Sequence, residues 1–216
     1  MRHIIGIDPG LGGALTIISG IENPKIQIFD TPTCDKILKG KKKKKGKYQT
    51  KDDYDKSAMA DILRSSMGKN VIVSLEGVHA MPGQGSVSMF GFGRGTGIWE
   101  GIIAAFGFDL LIVTPTEWKK EWGDKLFVIK PKAEKVSVAE FNKMTLAEKK
   151  QLERKEKETA KQKRDAKKAA KKAARDLASE LYPHLASMFQ REKDDGRAES
   201  LLMAERIRRM LVRGEI

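Results

Sequence analysis

Four acidic residues, in three distant segments of the chain, have local contexts that suit metal-binding carboxylates. Asp8 ends an apolar run near the start of the chain, and Glu76 ends a second, β-branched run. Asp195 and Glu199 are four residues apart, so a helix would place them on one face. Carboxylates at strand ends and on one helix face can converge, and converging carboxylates repel unless a cation joins them. Such oxygen ligands suit Mg²⁺, with Mn²⁺ able to substitute, and they predict metal-dependent phosphodiester chemistry.

Each acid also has a structural interpretation. Taken alone, Asp8 fits the cap of a tight turn better than a metal ligand, and the segment 8–13 is also typical of the phosphate loop in actin and sugar kinases. Glu76 needs a cation or a salt bridge, because a buried ionised carboxylate is costly without a partner. Asp194 competes with Asp195 as a ligand, and Arg197 could offset the charges of the helix acids.

The positive charge of the chain is concentrated in two segments. The 216 residues carry a formal net charge of +13, from 42 Lys and Arg against 29 Asp and Glu. Residues 39–51 hold eight lysines and no acid, and residues 119–175 hold 20 basic and nine acidic residues. Cationic attachments of this kind bind polyanions, most commonly nucleic acid. We expect Lys41, Lys42, Lys43, Lys44 and Lys45 to contact nucleic acid; a solvated surface is the alternative.

The cysteine content and the apolar runs indicate where the protein works. Cys34 is the only cysteine, so no disulfide can form within the chain, which fits a reducing compartment inside the cell. The longest apolar stretch, residues 98–113, is interrupted by Glu100 and Asp109. We therefore expect no membrane span.

Hydrophobic periodicity predicts the order of the secondary structure elements. Strands are expected at 3–8, 12–19, 25–31, 71–75 and 108–114, and helices at 54–67, 94–106, 116–119, 145–182 and 197–212. The first three strands suit an antiparallel meander and the later ones helix-linked units. This predicts one α/β domain over residues 1–216, with a mixed sheet flanked by helices, a lysine-rich loop at 39–51 and a basic helical insertion at about 125–175.

A glycine-rich segment after the second acid carries residues that suit contact with DNA. His79 lies three residues after Glu76, so it could act near a metal or stack on a base. Phe90, Phe92 and Arg94 alternate with glycines. On a mobile loop the two rings could insert at an unstacked base step. Packing of both rings in the core is the alternative.

Three glycines, Gly93, Gly97 and Gly101, recur at every fourth position. On a helix they would leave one face nearly bare. Such a face permits close approach of a second helix, either within the domain or across a dimer.

Taken together, four segments resemble the RuvC-type Holliday junction resolvases of the RNase H-like superfamily, closest to the phage and organellar branch. The segments are 4–13, 71–101, 113–120 and 195–204, and they include Met-Phe-Gly-Phe-Gly-Arg at 89–94 and Gly-Arg-Ala-Glu-Ser-Leu-Leu at 196–202. The resemblance implies an RNase H-like five-stranded mixed sheet. It also implies a homodimer that resolves four-way DNA junctions by paired symmetric nicks, using two metal ions.

By position, Asp8 matches the family's first-strand aspartate and Glu76 its fourth-strand glutamate. Glu199 matches the acid in the family's last helix. The bacterial family has a further aspartate in the last helix, where this chain has Gly196. Asp195 or Asp194 must then supply the fourth ligand.

Lys119 and Lys120 match the basic residues that the family keeps after its fifth strand, whereas the lysine-rich insertion has no counterpart there. Two other functions stay open from the sequence. One is an actin-like or sugar-kinase-like ATPase that uses the 8–13 segment, although a chain of this length does not easily hold the two domains required. The other is a junction-binding protein without catalytic activity, against which the intact acids argue.

Overall fold

The computed structural model describes residues 2–42, 48–77, 85–126 and 136–216. Seven strands form two sheets: β1 (Arg2–Ile7), β2 (Ala14–Ser19), β3 (Lys25–Asp30), β4 (Thr33–Lys42), β5 (Tyr48–Tyr54), β6 (Asn70–Glu76) and β7 (Asp109–Val113). The main sheet has five strands in the order β3-β2-β1-β6-β7, and β4 pairs with β5 in a separate antiparallel sheet.

The main sheet is mixed, as the sequence predicts. β1, β2 and β3 form an antiparallel meander, whereas β6 is parallel to both β1 and β7. The two central strands are continuous apolar runs, which suits strands that are covered on both faces. The parallel strands are connected through helices, because a parallel pair cannot be joined by a tight turn.

The described part of the chain contains six α-helices: α1 (Lys56–Arg64), α2 (Ser86–Phe106), α3 (Pro115–Lys120), α4 (Val138–Lys143), α5 (Leu146–Leu181) and α6 (Asp195–Val212). One core cluster joins a sheet face to α1 and α2 through residues such as Met59 and Trp99. The other joins the opposite face to α5 and α6 through residues such as Leu177 and Leu201. Among the described helices, none is both long and apolar enough to cross a membrane.

The last helix lies unusually close to the first strand. A Cβ atom added at Gly6 would lie 2.1 Å from the backbone oxygen of Ser200 and 2.7 Å from the backbone nitrogen of Ala204. Beside this contact, the hydroxyls of Thr16 and Ser200 are hydrogen-bonded at 2.8 Å. Glycine in the middle of β1 is therefore required by the approach of the helix, and α6 is fixed to the sheet at this level.

The predicted fold class is confirmed, but the lysine-rich loop at 39–51 is only partly a loop. The range overlaps β4 and β5, which form an antiparallel hairpin, and residues 43–47 lie outside the described part of the chain. Strand pairing satisfies the backbone of this arm even though its sequence lacks an apolar alternation. The basic insertion contains α4 and most of α5, and Thr145 caps α5 with a capping box to Glu148.

The second helix begins at Ser86, eight residues before the predicted start at Arg94. Phe90 and Phe92 therefore lie on a helix and not on a mobile loop. Glycine in a helix interior costs about 1 kcal/mol relative to alanine, which is why the sequence pattern favours a loop here. Close packing offsets part of this cost, because a Cβ at Gly95 would lie 2.6 Å from the backbone oxygen of Pro9.

Candidate active site

Asp8 and Glu76 are neighbours at the carboxyl ends of two parallel strands. Ile7, the last residue of β1, is paired with Leu75 of β6. Asp8 is the next residue after β1, and Glu76 is the last residue of β6. Side chains alternate between the faces of a sheet, so both acids lie on the same side as Ile4, which packs in the α6 cluster. The parallel register thus brings two carboxylates together on the face that α6 covers.

The first turn of α6 lies against the loop that follows Asp8. A Cβ at Gly196 would lie 2.9 Å from the backbone oxygen of Gly12 and 3.0 Å from Oδ2 of Asp8. A side chain at position 196 therefore has no room. Asp195 and Glu199 flank this contact on the same helix, one turn apart.

The carboxylates interact strongly with one another. Asp8 is half-buried, and burial together with the charges of Glu199, Glu76 and Asp195 raises its pKa to about 7. The amide of Gly10 donates to Oδ1 of Asp8 at 3.4 Å, which acts in the opposite direction. The pKa of Glu76 is also raised, first by burial and then by Glu199. Acids from β1, β6 and α6 therefore share one electrostatic environment.

Glu76 is oriented by a buried tryptophan. Nε1 of Trp118, in α3, donates a hydrogen bond to Oε1 of Glu76 at 3.0 Å, and the indole is fully buried. This bond opposes the rise in the pKa of Glu76. The ammonium of Lys119 lies 4.8 Å from the centre of the same indole. α3, which begins with a capping box at Thr114, thus supplies both an orienting donor and a cation.

The two acids of α6 each pair with a lysine from a different helix. Nζ of Lys119, in α3, is 3.3 Å from Oε1 of Glu199. Lys171, in α5, pairs with Oδ2 of Asp195. Burial opposes the charged form of Lys171, but the pairing with Asp195 and the charges of Glu199 and Asp8 prevail and raise its pKa. The positive charge that the cluster requires is supplied here by protein side chains.

The cluster is not a formed coordination shell. Over the described ranges, no three His, Cys, Asp or Glu side chains lie close enough to hold one metal ion. The donor chemistry nevertheless fits a hard cation, because all four groups are carboxylates. Their mutual repulsion, which adds to burial in raising the pKa of Asp8, is the electrostatic condition that such a cation relieves.

Asp194, the competing ligand, serves a structural role. Its side chain is only 2% exposed and accepts hydrogen bonds from both the backbone and the guanidinium of Arg191. Arg197 lies 3.5 Å away on the other side. The hydrogen bond from Arg191 holds the pKa of Asp194 below its usual value. Of the two adjacent aspartates, Asp195 is the one whose charge acts on Asp8.

The residues predicted to bind nucleic acid are more dispersed. Phe90 and Phe92 are 75% and 42% exposed, so neither ring is in the core. Arg94 forms an ion pair with Asp53 and lies 5.9 Å from the centre of the Tyr54 ring. Lys120 is exposed at the end of α3.

Part of the predicted nucleic-acid surface lies outside the described structure. His79 and Lys43 to Lys45 fall in this part of the chain. Lys41 and Lys42 end β4, but their side chains are also outside it. Their contacts with nucleic acid stay predictions.

Sequence reasoning missed three residues that support the site. Trp118 lay in a short predicted helix, Lys171 lay in a basic stripe, and Tyr54 was read as the start of a helix. The hydroxyl of Tyr54 donates to the backbone oxygen of Pro9 at 3.2 Å and so holds the loop after Asp8. For Lys171 the i, i+4 spacing of the stripe was a usable signal; nothing local to Tyr54 indicates its contact.

Comparison of the chain with protein-family models and with curated proteins gives no match. The interpretation of the site therefore depends on its geometry and on the motifs of the sequence.

Proposed function

We propose that the protein is a metal-dependent endodeoxyribonuclease that resolves four-way DNA junctions by paired symmetric nicks. The observation that carries this proposal is the convergence of Asp8, Glu76, Asp195 and Glu199 from three elements far apart in sequence. Burial and the neighbouring acids together raise the pKa of Asp8 to about 7, and acids with so perturbed a pKa are typical of functional sites. The net charge of +13 supports a polyanionic substrate.

The four carboxylates would hold Mg²⁺, or Mn²⁺ in its place, and Asp195 rather than Asp194 would be the fourth ligand. Two such ions, when bound, would activate water and stabilise the leaving 3′ oxygen. Trp118 would hold Glu76 in one orientation through its indole donor. Lys119, at the edge of the acid cluster, would stabilise negative charge on the substrate phosphate.

A homodimer follows from the proposal, because paired nicks require two active sites. The open face of α2 is the candidate contact. Cβ atoms added at Gly93, Gly97 and Gly101 would meet nothing within 4 Å, so the described part of the chain leaves this face uncovered. Val87 and Phe90 are each 75% exposed on the same helix. We propose that α2 packs on its two-fold copy there, with the phenylalanines close to the junction.

The ATPase alternative is not favoured by the loop after Asp8. A phosphate loop presents free backbone amides to its ligand. Here the amide of Gly13 donates to Gly10 and the amide of Asp8 donates to Ala14. The same loop is covered by Gly196 of α6. We also propose that the protein works in a reducing compartment inside the cell, which is compatible with its single cysteine.

The decisive experiment is Glu76→Gln, which keeps the shape of the side chain and removes its charge. We expect cleavage of a labelled four-way junction in Mg²⁺ to fall on the order of 100-fold or more, since even outer-shell changes cost up to that amount. Junction binding should persist, because phosphate contacts dominate affinity. Glu22→Gln, an exposed change in the turn between β2 and β3, is the matched control. Normal nicking by the Glu76 variant would remove this carboxylate from the site.

A further inference from the structure

The helical insertion places a row of cations beside the acid cluster. In α5, residues 161–175 hold eight basic residues and one acid, a net charge of +7, whereas residues 146–160 hold five basic and four acidic residues, a net charge of +1. The charge is therefore concentrated in the half of the helix that leads to Lys171 and its partner Asp195. A role in solubility alone does not explain why the positive charge is concentrated in one half of the helix.

Five of the eight cations in the charged half are exposed and have no acidic partner in the described part of the chain. They are Lys161, Lys163, Arg164, Lys167 and Lys168. Over the described ranges, none of the five lies within salt-bridge distance of a carboxylate, although pairs such as Lys157–Glu153 and Lys172–Asp176 occur on either side. Unpaired, hydrated cations retain their full attraction for an external polyanion. These five charges are therefore accessible to an anionic ligand.

The five cations also share a direction. At about 100° per residue, all of them lie within roughly 80° of Lys171 around the helix axis. Ala174 and Ala178, through which α5 packs in the α6 cluster, lie within about 60° of the same direction. The cationic face of the free part of α5 is thus the face that, further along, turns towards α6 and the acids.

We propose that this face of α5, from Lys161 to Lys168, is a docking surface for the phosphate backbone of a duplex arm, which it guides to the acid cluster. The inference rests on the proposed function and names the surface that holds its substrate. From Lys161 to Lys171 the helix rises about 15 Å, at roughly 1.5 Å per residue. Duplex DNA presents one phosphate charge for about every 1.7 Å, so this length can engage all five cations.

The test compares two triple variants in the full chain. Lys161→Gln, Arg164→Gln and Lys168→Gln neutralise the proposed surface. Lys150→Gln, Arg154→Gln and Lys157→Gln remove the same residue types from the nearly neutral half of the helix. Glutamine keeps helix propensity close to that of lysine and arginine, and far-UV circular dichroism checks that α5 is retained.

Binding of a fluorescent four-way junction is measured by anisotropy, without divalent cations, over a range of salt concentrations. Each lost phosphate contact reduces the slope of log K against log salt by about 0.9. We expect the first triple variant to reduce the slope by about 2 to 3, and the control by less than about 1. Equal effects of the two triples, or no effect of either, would overturn the proposal.

Two further outcomes separate this inference from the proposed function. An unchanged slope in the first triple, with normal junction cleavage by the wild type, rejects the docking surface and leaves the nuclease proposal standing. The expected slope change, with no cleavage by the wild type in Mg²⁺ or Mn²⁺, supports the docking surface and rejects the nuclease. Loss of binding to anionic phospholipid vesicles in the first triple, with an unchanged DNA slope, assigns the surface to a membrane and overturns the proposal.

Discussion

Replacing Gly6 by alanine tests whether the distance between β1 and α6 sets the geometry of the acids. The new Cβ atom would lie 2.1 Å from the backbone oxygen of Ser200, which is 1.3 Å short of an ordinary 3.4 Å contact. A second backbone atom, the nitrogen of Ala204, is 2.7 Å away. Neither clash can be relieved by rotating a side chain, so the helix has to move by about 1 Å.

That movement has two measurable costs. Overpacking of a well-packed core destabilises a protein by about 1–3 kcal/mol, and we expect a value in the upper part of this range because both obstructing atoms belong to the backbone. The helix that moves carries Asp195 and Glu199. A misplacement of about 1 Å in an active site can reduce catalysis on the order of 100-fold. We therefore expect junction cleavage per folded molecule to fall by about that factor.

The free energy of unfolding is measured by urea titration, and cleavage is measured under conditions where the variant stays folded. Gly91→Ala is the control, since its Cβ enters open space on α2, about 120° around the helix from Gly97, and should stabilise the helix by up to about 1 kcal/mol. Two results refute the reasoning for Gly6. One is a stability within about 0.5 kcal/mol of the wild type. The other is a lower stability with unchanged cleavage by the folded protein, which would mean that the strand-to-helix distance does not position the acids.

Three further outcomes can be measured. Arg94→Met should lower the free energy of unfolding at neutral pH, because the Arg94 guanidinium holds the pKa of Asp53 at about 2. The difference in unfolding free energy between variant and wild type should shrink as the pH falls from about 4 towards 2, since Asp53 then becomes protonated. A difference that does not change with pH contradicts the ion pair. Gly97→Arg should shift the protein to monomers in sedimentation equilibrium, whereas a wild type that is monomeric even on junction DNA contradicts the proposed α2 contact. Lys171→Gln should tighten binding of Mn²⁺ in calorimetry by about three- to fivefold by removing the competing ammonium, whereas Lys172→Gln on the outer side should not.

The central sheet could be predicted because its strands are short, β-branched and apolar. Runs of this kind indicate buried strands, which is correct for β1 and β6, whose carboxyl ends lead to Asp8 and Glu76. The run at 108–114 also predicted a buried strand, but β7 is an edge strand, and its Leu111 and Ile112 are exposed. The long helix was equally clear, since Thr145 and Pro183 mark its two ends in the sequence. In these segments the hydrophobic pattern and the capping residues were enough to predict the element.

The remaining features depend on contacts between distant segments. The β4–β5 hairpin lacks an apolar alternation, so only its pairing defines it. In α2, Gly95 packs against Tyr54 and Pro9, a contact that no local pattern shows. Asp194 is buried and pairs with the exposed Arg191, whereas Asp195 pairs with Lys171 of α5. The local pattern around each of these residues does not indicate which distant residue it contacts.

The packing of α6 on β1 also determines when the site can exist during synthesis of the chain. Asp8 and Glu76 leave the ribosome early, whereas Asp195 and Glu199 follow only after the whole insertion has been translated. Until α6 emerges, the face of β1 at Gly6 has no cover, and the two early acids have neither their acidic partners nor Lys171 nearby. The acid cluster therefore cannot assemble until α6 has been translated and has docked on β1.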